Sequence, residues 1–339
     1  VLRNIARHLP EIVYPPENQP VPYLSVRYST PEWIVEDWLK QYGRELAEQI
    51  LAAFYEERPT TIRVNQSRTT PEALAERLEK RGIAVKKAPY LSCALQIEGY
   101  DYLAALPEFQ EGLFQVQDVS SMLAVEAAGV KPGDSCMDVC AAPGGKSLFL
   151  AEKTGPKGQV DARDVTEYKA ALIRDNAGRL GAENITVSVR DACVPDPGSE
   201  EKADVLIADL PCSGLGVLGK KTDLKYRMSR EQQEELAALQ RKMLDTVQAY
   251  VKPGGTLLYS TCTISSAENE ENVRWFLERY PYEAESLENC LPKELAEQPS
   301  GVSGESPEEM LRRGYLQLLP GVHACDGFFI AKFRKKMKQ

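Results

Sequence analysis

Short apolar runs alternate with amphipathic segments over the C-terminal two thirds of the chain. The predicted strands occupy residues 135–139, 157–165, 184–189, 203–210 and 255–261. Segments with helical spacing of apolar residues separate most of these strands. Strands that alternate with helices are typical of a parallel, doubly wound sheet. Two later apolar stretches, 314–320 and 326–333, predict an antiparallel hairpin that closes this sheet.

The preceding residues follow a different pattern. Up to about Pro22 the chain is rich in proline and predicts a linker. Thr30, followed by a proline, is a suitable N-cap for a helix over 30–43, and a second helix is predicted over 44–57. Shorter strand and helix patterns then occupy 60–65, 70–82, 83–88 and 93–99. We expect three parts: a linker and helical segment (1–59), a small α/β domain (60–114) and a larger α/β domain (115–339).

The composition is that of a globular protein without a membrane segment. The 339 residues are 43% hydrophobic and 27% charged. No window approaches the roughly 18 unbroken apolar residues of a membrane helix. The 8 cysteines form no CxxC pair, and only 2 histidines are present. Reduced thiols in a cytoplasm are therefore the simplest interpretation, with no sign of a metal site.

The charge is unevenly distributed. The net charge of −9 argues weakly against a polyanionic partner. However, basic residues are concentrated in the loop 219–227 and in the tail 331–339. Taken alone, the tail indicates a solvated terminus. An acidic protein with a local basic loop can still bind a phosphate backbone.

A glycine loop and three aspartates follow the predicted strands. The loop CAAPGGK (140–146) matches neither GxGxxG nor the phosphate-binding loop. Asp164, Asp191 and Asp209 end the second, third and fourth strands, where ligands bind in a doubly wound sheet. Each aspartate alone could be an N-cap or a loop residue. Together they suit a nucleoside that carries an amine, which favours S-adenosylmethionine over NAD.

Two cysteines follow the fourth and fifth strands. Cys212 lies in DLPCSG and Cys262 in STC. Both loops are expected on the cofactor side of the sheet, so the two thiols could converge. A thiolate that attacks carbon 6 of a pyrimidine makes carbon 5 nucleophilic enough to accept a methyl group. A small buried hydrophobic residue is the usual role of a cysteine, and we expect it for the others, with Cys140 packing beside the glycine loop.

With these motifs, the sequence resembles the RNA (cytosine-5)-methyltransferases of the Sun/Fmu (RsmB) type. The matching motifs are DVCAAPGGKS, ADLPCSGLGVLGKKTDLKYR, LLYSTCTISSAENEENV and DGFFIAKF. The resemblance covers nearly the whole chain. It implies a class I S-adenosylmethionine-dependent methyltransferase: an α/β, Rossmann-like fold with a mostly parallel seven-stranded sheet and a smaller N-terminal α/β domain. In that fold, 60–114 is an RRM-like RNA-binding helper domain and 115–339 is the catalytic domain.

The resemblance also implies roles for individual residues. Cys262 is the expected nucleophile, and Cys212 assists product release. Lys146 and Asp209 are expected near the reacting base. The implied cofactor contacts are Cys140, Ala141, Ala142, Pro143, Gly144, Gly145, Lys146, Asp164, Asp191 and Asp209. The expected RNA contacts are Lys220, Lys221, Lys225 and Arg227. Leu210 stands where the family motif usually has alanine.

The resemblance further implies the substrate. Members of the RsmB type modify 16S ribosomal RNA, and they begin with a NusB-like domain. The start of this chain, VLRNIAR, resembles the end of that domain's last helix, so we expect a version without it. The target cytosine must be unstacked, which favours RNA that is not yet fully assembled into a subunit. We expect a cytoplasmic monomer.

Two other functions fit parts of the sequence. An NAD-dependent oxidoreductase would use the same kind of sheet, but the chain lacks GxGxxG and both cysteines would have no role. A non-catalytic RNA-binding factor could keep the fold. The presence of both cysteine motifs argues against it.

Overall fold

The computed structural model describes residues 2–8, 11, 13–298 and 306–337. Its strands are β1 (Thr60–Val64), β2 (Ala84–Lys87), β3 (Ala94–Glu98), β4 (Phe114–Val116), β5 (Ser135–Asp138), β6 (Gln159–Asp164), β7 (Ile185–Val189), β8 (Ala203–Asp209), β9 (Val251–Thr261), β10 (Tyr282–Ala284), β11 (Tyr315–Leu318) and β12 (Phe328–Lys335). Its α-helices are α1 (Leu2–His8), α2 (Pro20–Arg27), α3 (Glu32–Ala53), α4 (Pro71–Glu79), α5 (Pro107–Gln110), α6 (Val119–Ala128), α7 (Gly145–Thr154), α8 (Glu167–Leu180), α9 (Leu224–Arg227), α10 (Arg230–Val247), α11 (Glu270–Arg279) and α12 (Pro307–Arg312).

The first four strands form a small antiparallel sheet in the order β2-β3-β1-β4. Helix α4 begins where the Thr70 hydroxyl accepts a hydrogen bond from the Ala73 N–H, and a proline occupies its first turn. Its buried Leu74 and Leu78 pack with Ile62 and Ile97 of the sheet. A sheet covered on one face by a helix gives this part its own apolar core.

The second sheet has the order β10-β12-β9-β8-β5-β6-β7, with β11 paired to β12. Strands β5 to β9 pair in parallel, whereas β10, β11 and β12 add antiparallel pairs. Because β5 lies between β6 and β8, the chain changes direction across the sheet at this strand. Ligands bind at such a switch point, beyond the carboxyl ends of the strands.

The sheet has one strand more than the predicted seven. Strand β10 is the addition, and it pairs with β12 through Tyr282, Glu283 and Ala284. Three residues are too few to show the alternation from which a strand is predicted. The predicted closing hairpin is confirmed: Leu316 pairs with Ile330 and Leu318 with Phe328.

Helices cover both faces of this sheet. One face carries α6 and α7, whose Met122, Leu123 and Phe149 are fully buried. On the other face, Leu244 of α10 and Phe276 of α11 are buried together with strand residues such as Tyr259. Full burial of one such side chain stabilises the fold by about 1.5–3 kcal/mol. Within the described residues, no helix combines the length and apolar character needed to cross a bilayer.

The N-terminal segment is more helical than the proline content indicated. Helix α2 begins at Pro20, inside the predicted linker, because proline fits the first turn of a helix. The two helices predicted over 30–57 are joined as α3. They meet at Gly43, whose φ of 74° interrupts the helical backbone. Such a φ is costly for residues other than glycine.

The basic tail is also different from the prediction. Residues up to Lys335 belong to β12 rather than to a solvated terminus, and Lys332 is 3% exposed. Its ammonium group pairs with Glu285 and contacts the Cys290 sulfur. The basic side chains of this strand therefore have partners within the fold, which a count of charges along the sequence does not reveal.

A buried arginine connects the small sheet to the large one. Arg63 of β1 is 1% exposed and forms an ion pair with Glu152 of α7. Its Nε donates to the Gln117 side chain at 2.9 Å. The guanidinium also lies over the Phe149 ring, 4.5 Å from its centre. These contacts fix the position of β1 relative to the helix that carries the glycine loop at its other end.

Candidate active site

The glycine loop joins β5 to α7 at the switch point. Gly144 is the N-cap of α7, and its φ of 107° favours glycine. The Asp164 carboxylate, at the end of β6, accepts from the Ala142 N–H at 3.0 Å and from the Val165 N–H at 2.8 Å. Lys169 pairs with it at 3.0 Å. Asp164 is thus fixed directly against the loop, as a group that bonds ribose hydroxyls must be.

Asp138, the last residue of β5, holds the same loop through hydrogen bonds. It is 1% exposed and accepts hydrogen bonds from the Ser147 hydroxyl at 2.6 Å and from the Cys140 N–H at 3.4 Å. Burial raises the pKa of Asp138 to about 6. Burial also raises the pKa of Cys140, so this thiol packs as a neutral group. Sequence reasoning missed Asp138, which appeared there only as the last polar residue of an apolar strand.

Asp191 lies farther along the edge and faces a separate cavity. It follows β7, is exposed, and accepts from the Cys193 N–H at 2.8 Å. The cavity beside it, about 240 Å³, is also lined by Val139 and Tyr250. Val139 directly follows β5 and precedes the glycine loop, so this cavity adjoins the loop region. The lining combines carboxylates and arginines with apolar side chains, and such a mixed cavity suits one end of a nucleoside.

The two predicted cysteines converge. Cys212 follows β8 and Cys262 follows β9, and their sulfur atoms are 3.3 Å apart. The hydrogen bond between the two thiols lowers the pKa of Cys262, and the nearby Lys221 and Lys146 lower it further against the effects of burial and of Asp209. The same bond, together with burial, raises the pKa of Cys212. One thiol is therefore disposed to ionise and the other to remain protonated.

Lys146 and Asp209 form an ion pair beside the thiols. The Lys146 ammonium lies 2.7 Å from the Asp209 carboxylate, which also accepts from the Ser260 hydroxyl at 2.8 Å. Burial acts to lower the pKa of Lys146, but Asp209 outweighs it and the pKa is raised. The lysine is thus a cation near Cys262. Its other neighbour is the ring of Phe328.

A buried polar network behind the cysteines was missed from the sequence. Glu268 is fully buried and accepts from the Ser213 N–H at 2.9 Å and from the Ser213 hydroxyl at 2.5 Å. The sequence SAENEEN favours the start of a helix, with Ser265 or Ser266 as its cap and the acids at its N-terminus. Helix α11 instead begins after Asn269, without a side-chain cap. In the sequence, Glu268 cannot be distinguished from its acidic neighbours.

The basic loop divides into two kinds of residue. Lys220 pairs with Asp118 at 2.9 Å and with Asp326 at 2.7 Å, and Lys225 is 8% exposed. The Lys225 ammonium contacts Tyr55 and the carbonyl of Tyr28. Lys221 and Arg227 are exposed, and the Lys220 side chain is also 54% exposed despite its two ion pairs. Of the four predicted RNA contacts, Lys225 is thus buried, whereas Lys220 holds the loop in place and is still accessible to solvent.

Two family models match this chain. The model described as 16S rRNA methyltransferase RsmB/F matches residues 126–334. The model described as the ferredoxin-like domain of RsmF/B-like methyltransferases matches residues 30–101. The first match falls on the large sheet, and the second falls on α3 and the first three strands of the small sheet.

Similar proteins and structures agree with these matches. The probable ribosomal RNA small subunit methyltransferase B of Bacillus subtilis is 36% identical over 99% of this chain and 73% of its own length. The protein of the same name from Synechocystis is 32% identical over 92% of this chain and 68% of its own length. A solved methyltransferase homologue from Pyrococcus horikoshii is 28% identical, covers 92% of this chain and 97% of its own, and superposes with a TM-score of 0.75.

These similarities and the geometry of the sheet support one another. The predicted class I, S-adenosylmethionine-dependent methyltransferase fold, with a smaller N-terminal α/β part, is confirmed. The chain belongs to the RsmB/F family of 16S rRNA methyltransferases.

Proposed function

We propose that this chain methylates carbon 5 of a cytosine in 16S rRNA through a covalent bond between Cys262 and carbon 6 of the base. The supporting observation is the contact between the Cys212 and Cys262 sulfur atoms, 3.3 Å apart at the ends of β8 and β9. Carbon 5 of a cytosine is a poor nucleophile. A neighbouring thiolate corrects this, which gives a reason for a pair of thiols with opposite pKa shifts.

In the proposed reaction the Cys262 thiolate bonds to carbon 6, and the electron pair of the ring double bond moves to carbon 5, which takes the methyl group. S-adenosylmethionine, when bound, would supply that methyl group through cleavage of its sulfur–methyl bond and would leave as S-adenosylhomocysteine. A base then removes the proton from carbon 5, the double bond re-forms, and the bond between sulfur and carbon 6 breaks. Cys212 is the proposed assistant in this release.

Lys146 and Asp209 are proposed to orient the base. Asp209 can accept hydrogen bonds from the amino edge of a cytosine, and its pairing with Lys146 at 2.7 Å fixes the position of the carboxylate. The Lys146 cation also favours the thiolate of Cys262. These roles require the ion pair to lie beside the two thiols.

The proposed cofactor site is the loop Cys140–Lys146 with Asp164, Asp191 and Asp209. Its fit to S-adenosylmethionine rests on the chemistry of these groups. A glycine turn lets backbone N–H groups approach a ligand, Asp164 is fixed beside that turn, and Asp191 faces the adjoining cavity. Acidic groups suit ribose hydroxyls and the amines of this ligand better than a pyrophosphate.

The proposed RNA contacts are the basic loop and the small sheet. Lys221 and Arg227 are exposed and can meet phosphates, whereas Lys220 and Lys225 position the loop. We propose residues 60–114 as an RNA-binding helper and 115–339 as the catalytic domain. The substrate would be RNA not yet fully assembled, because a base must leave its stack to reach Cys262. We further propose that the protein acts as a monomer in the cytoplasm.

The decisive experiment uses Cys212→Ala and Cys262→Ala with S-adenosylmethionine and a 16S rRNA transcript, separated on a denaturing gel. A protein–RNA adduct should accumulate with Cys212→Ala, because release is impaired. It should be absent with Cys262→Ala, and neither variant should sustain turnover. An adduct that survives Cys262→Ala would show that the roles of the two thiols are reversed.

Cofactor binding separates this proposal from an NAD-dependent oxidoreductase. S-adenosylmethionine at 100 times its Kd should stabilise the folded protein by about 2.7 kcal/mol, measured as a rise in Tm. NAD should give no rise. Asp164→Ala serves as the matched variant, and its response to S-adenosylmethionine should be smaller at the same concentration.

A further inference from the structure

The loops that carry the two thiols are tied together by one buried carboxylate. Ser213, next to Cys212, donates to Glu268 through both its N–H and its hydroxyl, at 2.9 and 2.5 Å. The Thr263 hydroxyl, next to Cys262, lies 2.8 Å from that of Ser213. Burial raises the pKa of Glu268, and the hydrogen bonds from Ser213 and Gln240 oppose this shift. A carboxylate only accepts hydrogen bonds, so Ser213 donates to it and Thr263 donates to Ser213. The network therefore has a fixed direction that ends at Glu268.

Other elements keep Glu268 in this position. Gln240 of α10 donates from its amide nitrogen to Glu268 at 3.1 Å and to the Pro211 carbonyl at 2.9 Å. The Gln240 carbonyl oxygen accepts from Tyr259 of β9 and from Asn272 of α11. A glutamate held by a helix, a strand and the Pro-Cys loop has little freedom to move. The Glu268 carboxylate is therefore held beside the Pro-Cys loop, at the residue next to Cys212.

The charges that act on the two thiols are different. The negative charge of Glu268 acts on Cys212 and disfavours its thiolate. Around Cys262, Asp209 also disfavours the thiolate, whereas the cations Lys221 and Lys146 favour it. The two sulfurs are in hydrogen-bond contact, so one thiol can ionise while the other keeps its proton. The surroundings of the pair therefore decide which of the two thiols ionises.

We propose that Glu268 is a positioning residue that keeps Cys212 protonated and so makes Cys262 the nucleophile. This inference rests on the proposed function, in which Cys262 attacks the base. It assigns part of the difference between two adjacent thiols to a buried residue beside the Pro-Cys loop. Glu268 acts through its charge, and Ser213 is one of the groups that hold the carboxylate in place.

The test is limited alkylation of the RNA-free chain of residues 1–339 with iodoacetamide, followed by peptide mapping of each cysteine. In the unmodified protein Cys262 should react first. In Glu268→Gln the ratio of alkylated Cys212 to alkylated Cys262 should rise about tenfold, the equivalent of one pKa unit. An unchanged ratio in a Glu268→Gln protein that is folded would overturn the proposal.

Ser213→Ala is the matched control. It removes the hydroxyl bridge but keeps the carboxylate, so the preference for Cys262 should persist. A shift as large as that of Glu268→Gln would mean that the bridge matters and the charge does not, which would also overturn the proposal. Thermal unfolding of both variants shows whether they are folded.

The unmodified protein supplies a second measurement that needs no variant at Glu268. As the pH is raised, Cys262 should become reactive at least about one pH unit below Cys212. If the two thiols titrate together, Glu268 does not separate them and the inference fails. If Cys212 reacts first, the nucleophile of the proposed function is itself wrong, so the two failures are distinguishable.

Discussion

At the residue scale, Asp138 is a buried acid of the site that is held by neutral donors. Its hydrogen-bond donors, the Ser147 hydroxyl and the Cys140 N–H, are both neutral. Lys146 acts on it only at a distance, and burial dominates, so its pKa rises to about 6. A carboxyl group with a raised pKa stabilises the fold when protonated and costs stability once it ionises.

Asp138→Asn should reveal this cost. The pKa of Asp138 is about 6 in the folded chain and about 3.9 in an unfolded one, so the folded state holds the proton more tightly. As the pH rises from about 4 to 6, the wild type should lose up to about 3 kcal/mol relative to Asp138→Asn. Urea unfolding of both proteins at a series of pH values measures the difference. A difference that stays constant over this range would contradict the assignment.

At the element scale, the contact between β1 and α7 depends on one arginine. Arg63 is 1% exposed and its partner Glu152 is 15% exposed, so removing the guanidinium leaves a carboxylate in a largely buried place. Burial already raises the pKa of Glu152 despite the arginine beside it. The cost of separating such a pair is larger than the net benefit of forming it.

Arg63→Met should therefore destabilise the protein by about 3–5 kcal/mol in urea unfolding. Arg174→Met is a suitable comparison, because Arg174 pairs with Glu167 on the surface, with side chains 45% and 70% exposed. It should leave the stability nearly unchanged, because solvent screens an exposed pair. Equal effects of the two substitutions would argue against Arg63 as the connection between β1 and α7.

At the scale of the whole molecule, Lys220 and Lys221 are neighbours with different surroundings. Lys220 joins Asp118 before α6 to Asp326 before β12, and those two carboxylates are only 16% and 14% exposed. Lys221 is exposed in the same loop. One lysine connects distant parts of the chain, while the next is free to meet a phosphate.

Lys220→Met and Lys221→Met should thus affect different properties, the first the stability and the second the RNA binding. The first should lower the stability by about 1–3 kcal/mol, because two nearby carboxylates lose their common donor. The second should leave the stability unchanged and weaken RNA binding, with the slope of log K against log salt reduced by about 0.7. Filter binding over a salt series and thermal unfolding measure both. Loss of stability with Lys221→Met would refute this division.

The sequence predicted the parts of the site whose signals are local. Cys212 and Cys262 each follow an apolar strand, and parallel strands end on the same side of a sheet, so their approach could be foreseen. The partners of Glu268 and Lys225 could not, because a charged residue looks the same in sequence whether it is buried or solvated. Likewise β10 is too short to be seen, and it exists because β12 offers an edge to pair with.

The position of β12 has a consequence for how the protein is made. Strand β9, which leads to Cys262, has β8 on one side and β12 on the other, and β12 is synthesised last of the three. At roughly 5–20 residues per second, several seconds separate the emergence of Thr261 from that of Phe328. During this interval an apolar strand edge waits unpaired, which invites association with other nascent chains. A ribosome that pauses between these strands would therefore prolong the period in which the newborn enzyme depends on a chaperone.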